Sequence, residues 1–176
     1  MLFSSVEFVF FFLPLSLLLY FVVPRRWRNV VLLIFSLIFY GWGEPRYVLL
    51  MVLTVAADYV FGLLVARRHS RVWLWTAVIT NLALLGFFKY YDFFASAVGL
   101  PTPGLALPVG ISFYTFQALS YVVDVYRGEA AQRDLIAFGT YITMFPQLVA
   151  GPIVRYADIR DELNSRPLSV QRAASG

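Results

Sequence analysis

The stretch from Leu107 to Gly128, LPVGISFYTFQALSYVVDVYRG, decides how the rest of the chain is read. Pro108 stands where a helix tolerates proline, because the N–H groups of a first turn have no intrahelical partner, and Gly128 supplies the usual stop. At 3.6 residues per turn, Tyr114, Gln117, Tyr121 and Asp124 share one face, and Ile111, Ala118, Val122 and Val125 are assigned to the other. A surface helix would carry more charge. The stretch therefore reads as a helix within or at the edge of a membrane. Its polar row must turn toward a protein interior or a watery cavity, since lipid would leave hydroxyl, amide and carboxylate groups unsatisfied.

Composition points the same way. The 176 residues are 60% hydrophobic and 18% aromatic, with only 14% charged and a mean hydropathy of +0.74. Soluble domains are about half apolar and about a quarter charged. The expected fold is all-α, a polytopic transmembrane helical bundle forming one region over 1–176. The net charge of +4 sits in short arginine clusters between apolar runs, the pattern of cytoplasmic loops and not of a nucleic-acid surface. With no cysteine, disulfides, thiolate metal sites and a cysteine nucleophile are excluded together.

Moving outward, apolar runs predict helices over 8–23, 29–43, 47–66, 72–88, 108–127 and 135–150. The first run is preceded by Glu7 and followed by Pro24, Arg25, Arg26 and Arg28, the reverse of a secretory signal. It reads as a retained helix with a periplasmic N-terminus and its arginines inside. FYGWGEPRY predicts an outer turn and Arg67, Arg68, His69 and Arg71 an inner loop. Lys89 to Asp92 and the breaker-rich Phe93 to Leu107 read as an outer loop. Leu135 to Val154 is long enough to cross, yet Arg155, Arg160, Arg166 and Arg172 beyond it belong inside. A re-entrant segment broken at Pro146, Gly151 and Pro152 reconciles these signals, provided that its irregular backbone is buried in protein or lines a cavity. PLSVQRAASG reads as the start of a further helix with Ser169 as its cap, so the chain is expected to be the N-terminal piece of a longer protein.

Candidate functional residues are few. His69, in ARRHSR, reads as a solvated loop side chain and not a general base. Asp58 lies at membrane depth, where a carboxylate needs a partner, and a bond to another helix is the plain reading. Asp124 can pair with Arg127 one turn on, or help shape a polar cavity. Phe145-Pro146-Gln147 reads equally as a kinked helix end and as a broken helix whose backbone and Gln147 amide line a substrate path. Tyr114, Gln117, Tyr121, Asp124, Pro146 and Gln147 are thus the substrate-path candidates. No nucleotide loop, zinc spacing or hydrolase elbow is present, and no metal or bound cofactor is expected.

MLFSSVEFVFFFLPLSLLLYFVVP, FYGWGEPRY, FFKYYDFF, LPVGISFYTFQALSYVVDVYRGE and MFPQLVAGPIVRYADI occur in the order and spacing of the membrane-bound O-acyltransferase family. The chain resembles in particular the branch that acetylates alginate, with D-alanyl transfer to teichoic acid as a more distant relation. The resemblance implies helices around a tunnel through the bacterial inner membrane. An acyl group, with acetyl-coenzyme A as donor, would pass from the cytoplasmic side toward hydroxyls of an extracellular polysaccharide with the help of periplasmic acetyltransferase partners. The implied partners are therefore the bilayer, the C-terminal half of the same protein, those acetyltransferases and, indirectly, the polysaccharide. The family's catalytic histidine lies later than these residues and His69 does not match it, so no catalytic residue is carried over and the 176 residues are expected to be inactive alone. Broken helices and buried carboxylates also suit a transporter module, and aromatic-rich helices suit a non-catalytic scaffold for a periplasmic acetyltransferase.

Overall fold

The computed structural model describes residues 5–97, 99, 108, 110–150 and 154–165, the side chains at 149–150, 161–162 and 164–165 excepted. Every regular element among them is helical. A π-helical turn, Phe8–Phe12, runs into α1 (Leu13–Val22). Pro14 explains the widening, because its ring would collide with the carbonyl one turn back in a regular helix and it has no N–H to offer. A 3-10 turn, Arg25–Trp27, leads into α2 (Arg28–Gly43). A second one, Pro45–Tyr47, leads into α3 (Val48–Arg68), so FYGWGEPRY makes the expected turn.

Helix α4 (Arg71–Ala97) runs on past Phe88 through Lys89, Tyr90, Tyr91 and Asp92, correcting the outer loop expected to begin there. No glycine or proline occurs between Phe88 and Gly99, so nothing stops the helix there. Residues 100–107, part of that expected loop, lie outside the described residues. Helix α5 (Ile111–Tyr126) begins three residues after Pro108, behind a left-handed Gly110 at φ +76°. A Cβ on Gly110 would lie 3.1 Å from the carbonyl oxygen of Leu148, so glycine is needed there for both conformation and space. Gly128, at φ +115°, turns the chain after α5.

Helix α6 (Leu135–Thr143) is capped by Asp134, whose Oδ1 accepts from the backbone N–H of Ile136 at 2.8 Å. The helix breaks at Met144 and resumes as α7 (Phe145–Ala150). Ser36 of α2 stabilises the break, its Oγ accepting the Phe145 N–H at 3.3 Å. Helix α8 (Tyr156–Ser165) was not anticipated; its mixed polar sequence gave no apolar run. Gly151, Pro152 and the expected Ser169 cap lie outside the described residues.

Helix α5 sits at the centre, packed on α3, α4, α6, α7 and α8. Its buried arc includes Ile111, Ala118, Val122 and Val125 as well as Tyr114, Gln117 and Tyr121, while Phe113 and Phe116 face out. This corrects the assignment of the apolar four to an opposite face. The two sets are adjacent at 100° per residue, and a helix surrounded by neighbours buries both. Lipid tails are as apolar as leucine, so close van der Waals contact and interhelical hydrogen bonds carry the packing. Gly62 lets the Tyr121 ring lie directly on α3, since a Cβ would be 2.4 Å from it, and Gly139 brings Leu33 close to α6. A second cluster of phenylalanines, Phe8, Phe12, Phe35, Phe39 and Phe145, ties the N-terminal helix to α2 and the start of α7.

The outer faces are apolar. Helix α3 with its leading turn (Pro45–Arg68) and α4 have mean hydropathies of 2.4 and 1.5 over spans long enough to cross a bilayer, yet only 28% and 17% of those windows are buried. A soluble core helix of that hydropathy would be mostly covered, whereas here Leu49, Leu53, Trp75, Ile79, Phe93 and Phe94 lie open. The molecule is an all-α membrane bundle.

Charge is divided between its two ends. His69 stacks on Tyr126 and the Arg71 Nε–H donates to the Tyr126 hydroxyl at 3.2 Å, so the end of α3, the start of α4 and the end of α5 meet. The Tyr59 hydroxyl donates to the Arg133 carbonyl oxygen, and Arg160 of α8 pairs with Glu129 at 3.0 Å. At the opposite end Tyr47 meets Phe88, next to Lys89. Arg133 and Glu129 line one groove with Arg67 and His69, so the segment containing α6 and α7 starts near the arginine-rich end and returns toward it at Arg160.

Candidate functional site: the polar row of the central helix

The row on α5 faces neighbouring helices and not lipid. Tyr114, Gln117 and Tyr121 are 2%, 3% and 0% exposed, and Asp124 is half-buried. The row is packed by protein groups, one of the two settings that keep polar side chains away from lipid. Tyr121 is enclosed by Gly62, by the Phe138 ring at 4.6 Å and by the Tyr156 ring at 5.0 Å. Its hydroxyl accepts from the backbone N–H of Gln132 at 3.1 Å. Tyr121 thereby fixes the connection that leads into α6. Tyr114, one helical turn from Gln117, has Thr54 of α3 and Tyr40 of α2 as polar neighbours.

Gln117 joins the two parts of the sequence that carried the site prediction. Its Nε2 donates to the Tyr141 carbonyl oxygen at 2.7 Å and to Gln147 Oε1 at 3.1 Å. Residue 141 lies in the last turn of α6, before the break, and Gln147 lies after it. One side chain of the central helix thus bridges the interruption of the re-entrant segment, where backbone carbonyls lose their helical partners. Pro146 is exposed in the first turn of α7, where its missing N–H costs no helical bond. It shapes the break without joining the buried row.

The expected contact between Asp124 and Arg127 is not formed: Arg160–Glu129 is the ion pair found among the described residues. Among the described residues Asp124 Oδ2 is buried without a hydrogen-bond partner, and Tyr141 lies within its electrostatic reach. Arg127, the residue that ends the helix, is exposed to solvent. Asp58 has the interhelical partner that depth demands, Asn81 of α4, whose Nδ2 donates to Oδ1 at 2.6 Å and to the Ala77 carbonyl oxygen at 3.0 Å. His69 is exposed and caps α3 in the left-handed region, φ 43°.

Two members of the cluster escaped the sequence reading. Tyr141 and Tyr156 are each 1% exposed and stand 5.7 Å apart, ring to ring. The Tyr141 hydroxyl donates to the Val154 carbonyl oxygen at 2.8 Å, holding the return of the re-entrant segment against its outward limb. A tyrosine in an apolar run gives no periodic signal of its own, and Tyr156 lies on the unanticipated helix. Among the described residues no three His, Cys, Asp or Glu side chains gather as a metal would require.

Helical architecture and uncovered apolar faces define the class, a multi-helix membrane protein. Comparison with curated proteins defines the relationship more narrowly. The chain is 38% identical over 192 aligned residues to a Pseudomonas syringae pv. tomato protein named "Probable alginate O-acetylase AlgI", and 38% identical to the Pseudomonas aeruginosa protein of that name. It is 29% identical over 219 aligned residues to a Helicobacter pylori peptidoglycan O-acetyltransferase. Each alignment covers 100% of this chain but only 37%, 37% and 42% of the relative. No family model matches, and no solved structure matches. Along its whole length the chain is thus similar to proteins named probable alginate O-acetylase, in agreement with the acyltransferase resemblance read from its motifs.

Proposed function

We propose that these helices form the N-terminal part of a bacterial inner-membrane O-acetyltransferase. It takes acetyl groups from a cytoplasmic donor, acetyl-coenzyme A, and delivers them toward hydroxyls of an extracellular polysaccharide such as alginate, with periplasmic acetyltransferases as partners. The observation that carries this reading is the similarity to alginate O-acetylases along all of this chain. The peptidoglycan relative supports O-acetyl transfer to a glycan as the shared chemistry, with the acceptor varying.

Attack of a hydroxyl on a thioester carbonyl needs a base within hydrogen-bond reach and donors aimed at the developing oxyanion. The one histidine in the chain, His69, is stacked on Tyr126 at the arginine-rich end. We assign no base to these residues. Their part is to build a rigid wall: α5 as the central post, α6 and α7 as a re-entrant limb bolted to it by Gln117, and Tyr114, Gln117, Tyr121, Asp124, Pro146 and Gln147 as the stretch nearest the substrate path.

Two experiments test the reading. Deleting the gene from its host should strip O-acetyl esters from the exported polysaccharide; an unchanged ester content would count against the function. The purified 176 residues, given acetyl-coenzyme A and an O-acetylatable glycan, should show no turnover above background. Turnover there would mean that a base has been overlooked in this chain.

A further inference from the structure

At the arginine-rich end a groove of about 630 Å³ separates the end of α3 from the connection between α5 and α6. That is the size of a small-molecule site. Leu63 and Val125 contribute apolar wall, and Arg67, His69 and Arg133 contribute three basic side chains, all exposed. The groove's own acid, Glu129, is engaged by Arg160 at 3.0 Å, which offsets its charge. Among the described residues, neither arginine nor the histidine makes an ion pair. The backbone N–H groups of Ala130 and Ala131, in the same lining, donate to no described residue.

One rim is held in place. The His69 ring lies parallel to that of Tyr126, with centroids 4.9 Å apart and an interplanar angle of 11°. The Tyr126 hydroxyl in turn accepts from Arg71. Two arginine guanidinium groups, a positioned imidazole, free backbone donors and an adjoining apolar wall are the elements that recognise a phosphate oxyanion attached to a larger, partly apolar group. Basic pockets between helices at a membrane face use the same chemistry for lipid head groups.

We propose that this groove binds a phosphate ester, with Arg67 and Arg133 as its principal ligands and His69 as a positioned third donor. The phosphate can belong to an anionic lipid head group or to a soluble ester, and the site does not rest on the acetyl-transfer reading.

The test uses the protein in phosphatidylcholine nanodiscs. Glycerol 3-phosphate is titrated by calorimetry in one arm, and in the other the discs carry phosphatidylglycerol and retained lipid is counted by native mass spectrometry. Saturable binding in the first arm assigns the site to a soluble ester, and retention only in the second assigns it to a head group. In whichever arm binds, Arg67→Gln with Arg133→Gln should weaken binding at least tenfold. Arg25→Gln with Arg26→Gln, exposed at the same end but outside the groove, should change it less than twofold. Circular dichroism should find both double variants as helical as the parent. Binding in neither arm, or an equal loss in the two double variants, would overturn the proposal, because the second result is what a general positive surface gives.

Discussion

Gln117 of the central helix donates from Nε2 to Gln147 Oε1 at 3.1 Å, across a break that divides one apolar run into two short helices. The same nitrogen donates to the carbonyl oxygen of Tyr141 at 2.7 Å. Both acceptors belong to a limb that starts near one end of the bundle and returns toward it. With water scarce at that depth, a re-entrant limb can stand only if the helix beside it supplies such donors.

Gln117→Leu should therefore lose stability by about 1–3 kcal/mol, the usual cost of leaving buried acceptors without a donor. In a double-mutant cycle with Gln147→Leu, measured by thermal unfolding in detergent, the two changes should be non-additive, with a coupling of about 0.5 kcal/mol or more. Strict additivity would mean that the amides do not interact.

Gly62→Ala should destabilise by about 1–3 kcal/mol, because the added methyl would sit 2.4 Å from the buried Tyr121 ring. Gly86→Ala in α4 meets nothing within 4 Å. It should be neutral or gain up to about 1 kcal/mol from helix propensity. Equal melting temperatures for the two variants would contradict the α3–α5 contact.

Asp58→Asn keeps an oxygen that can accept from Asn81 and should fold nearly as well as the parent. Asp58→Leu removes the acceptor of the 2.6 Å bond and should cost about 1–3 kcal/mol. Thermal unfolding of the two variants side by side checks the order; a reversed order would mean that the carboxylate is a burden at that position.

The chain has no cysteine, so single introduced cysteines report topology cleanly. Arg155→Cys and Lys89→Cys should react with a membrane-impermeant maleimide from opposite sides of oriented vesicles, Arg155 from the cytoplasmic side. Labelling of both from one side would contradict the re-entrant course.

Much of this was legible in advance where the physics is local. Composition and uncharged runs announced a membrane bundle, and Pro146 announced a break in the last apolar run, which falls between α6 and α7. What failed was decided by neighbours. The charged pair Lys89 and Asp92 suggested a loop, but neither residue breaks a helix, and α4 absorbed them. The apolar set on α5 was assigned to a separate face because periodicity cannot reveal that a helix has partners on more than one side. Asp124 was offered Arg127 on sequence spacing alone, whereas a carboxylate oxygen is buried and Arg127 is exposed. Tyr141 and Tyr156 became part of the site only when the return limb brought them together.

The central claim is that the polar row of α5 faces protein while a narrow strip of the same helix faces lipid. Spin labels placed singly at Phe113, Phe116, Gln117 and Ala118 in the bilayer-reconstituted protein, relaxed by oxygen dissolved in the lipid, test it most directly. The account predicts high collision rates at Phe113 and Phe116 and several-fold lower rates at Gln117 and Ala118. Equal rates at all four positions, or the highest rate at Gln117, would contradict it.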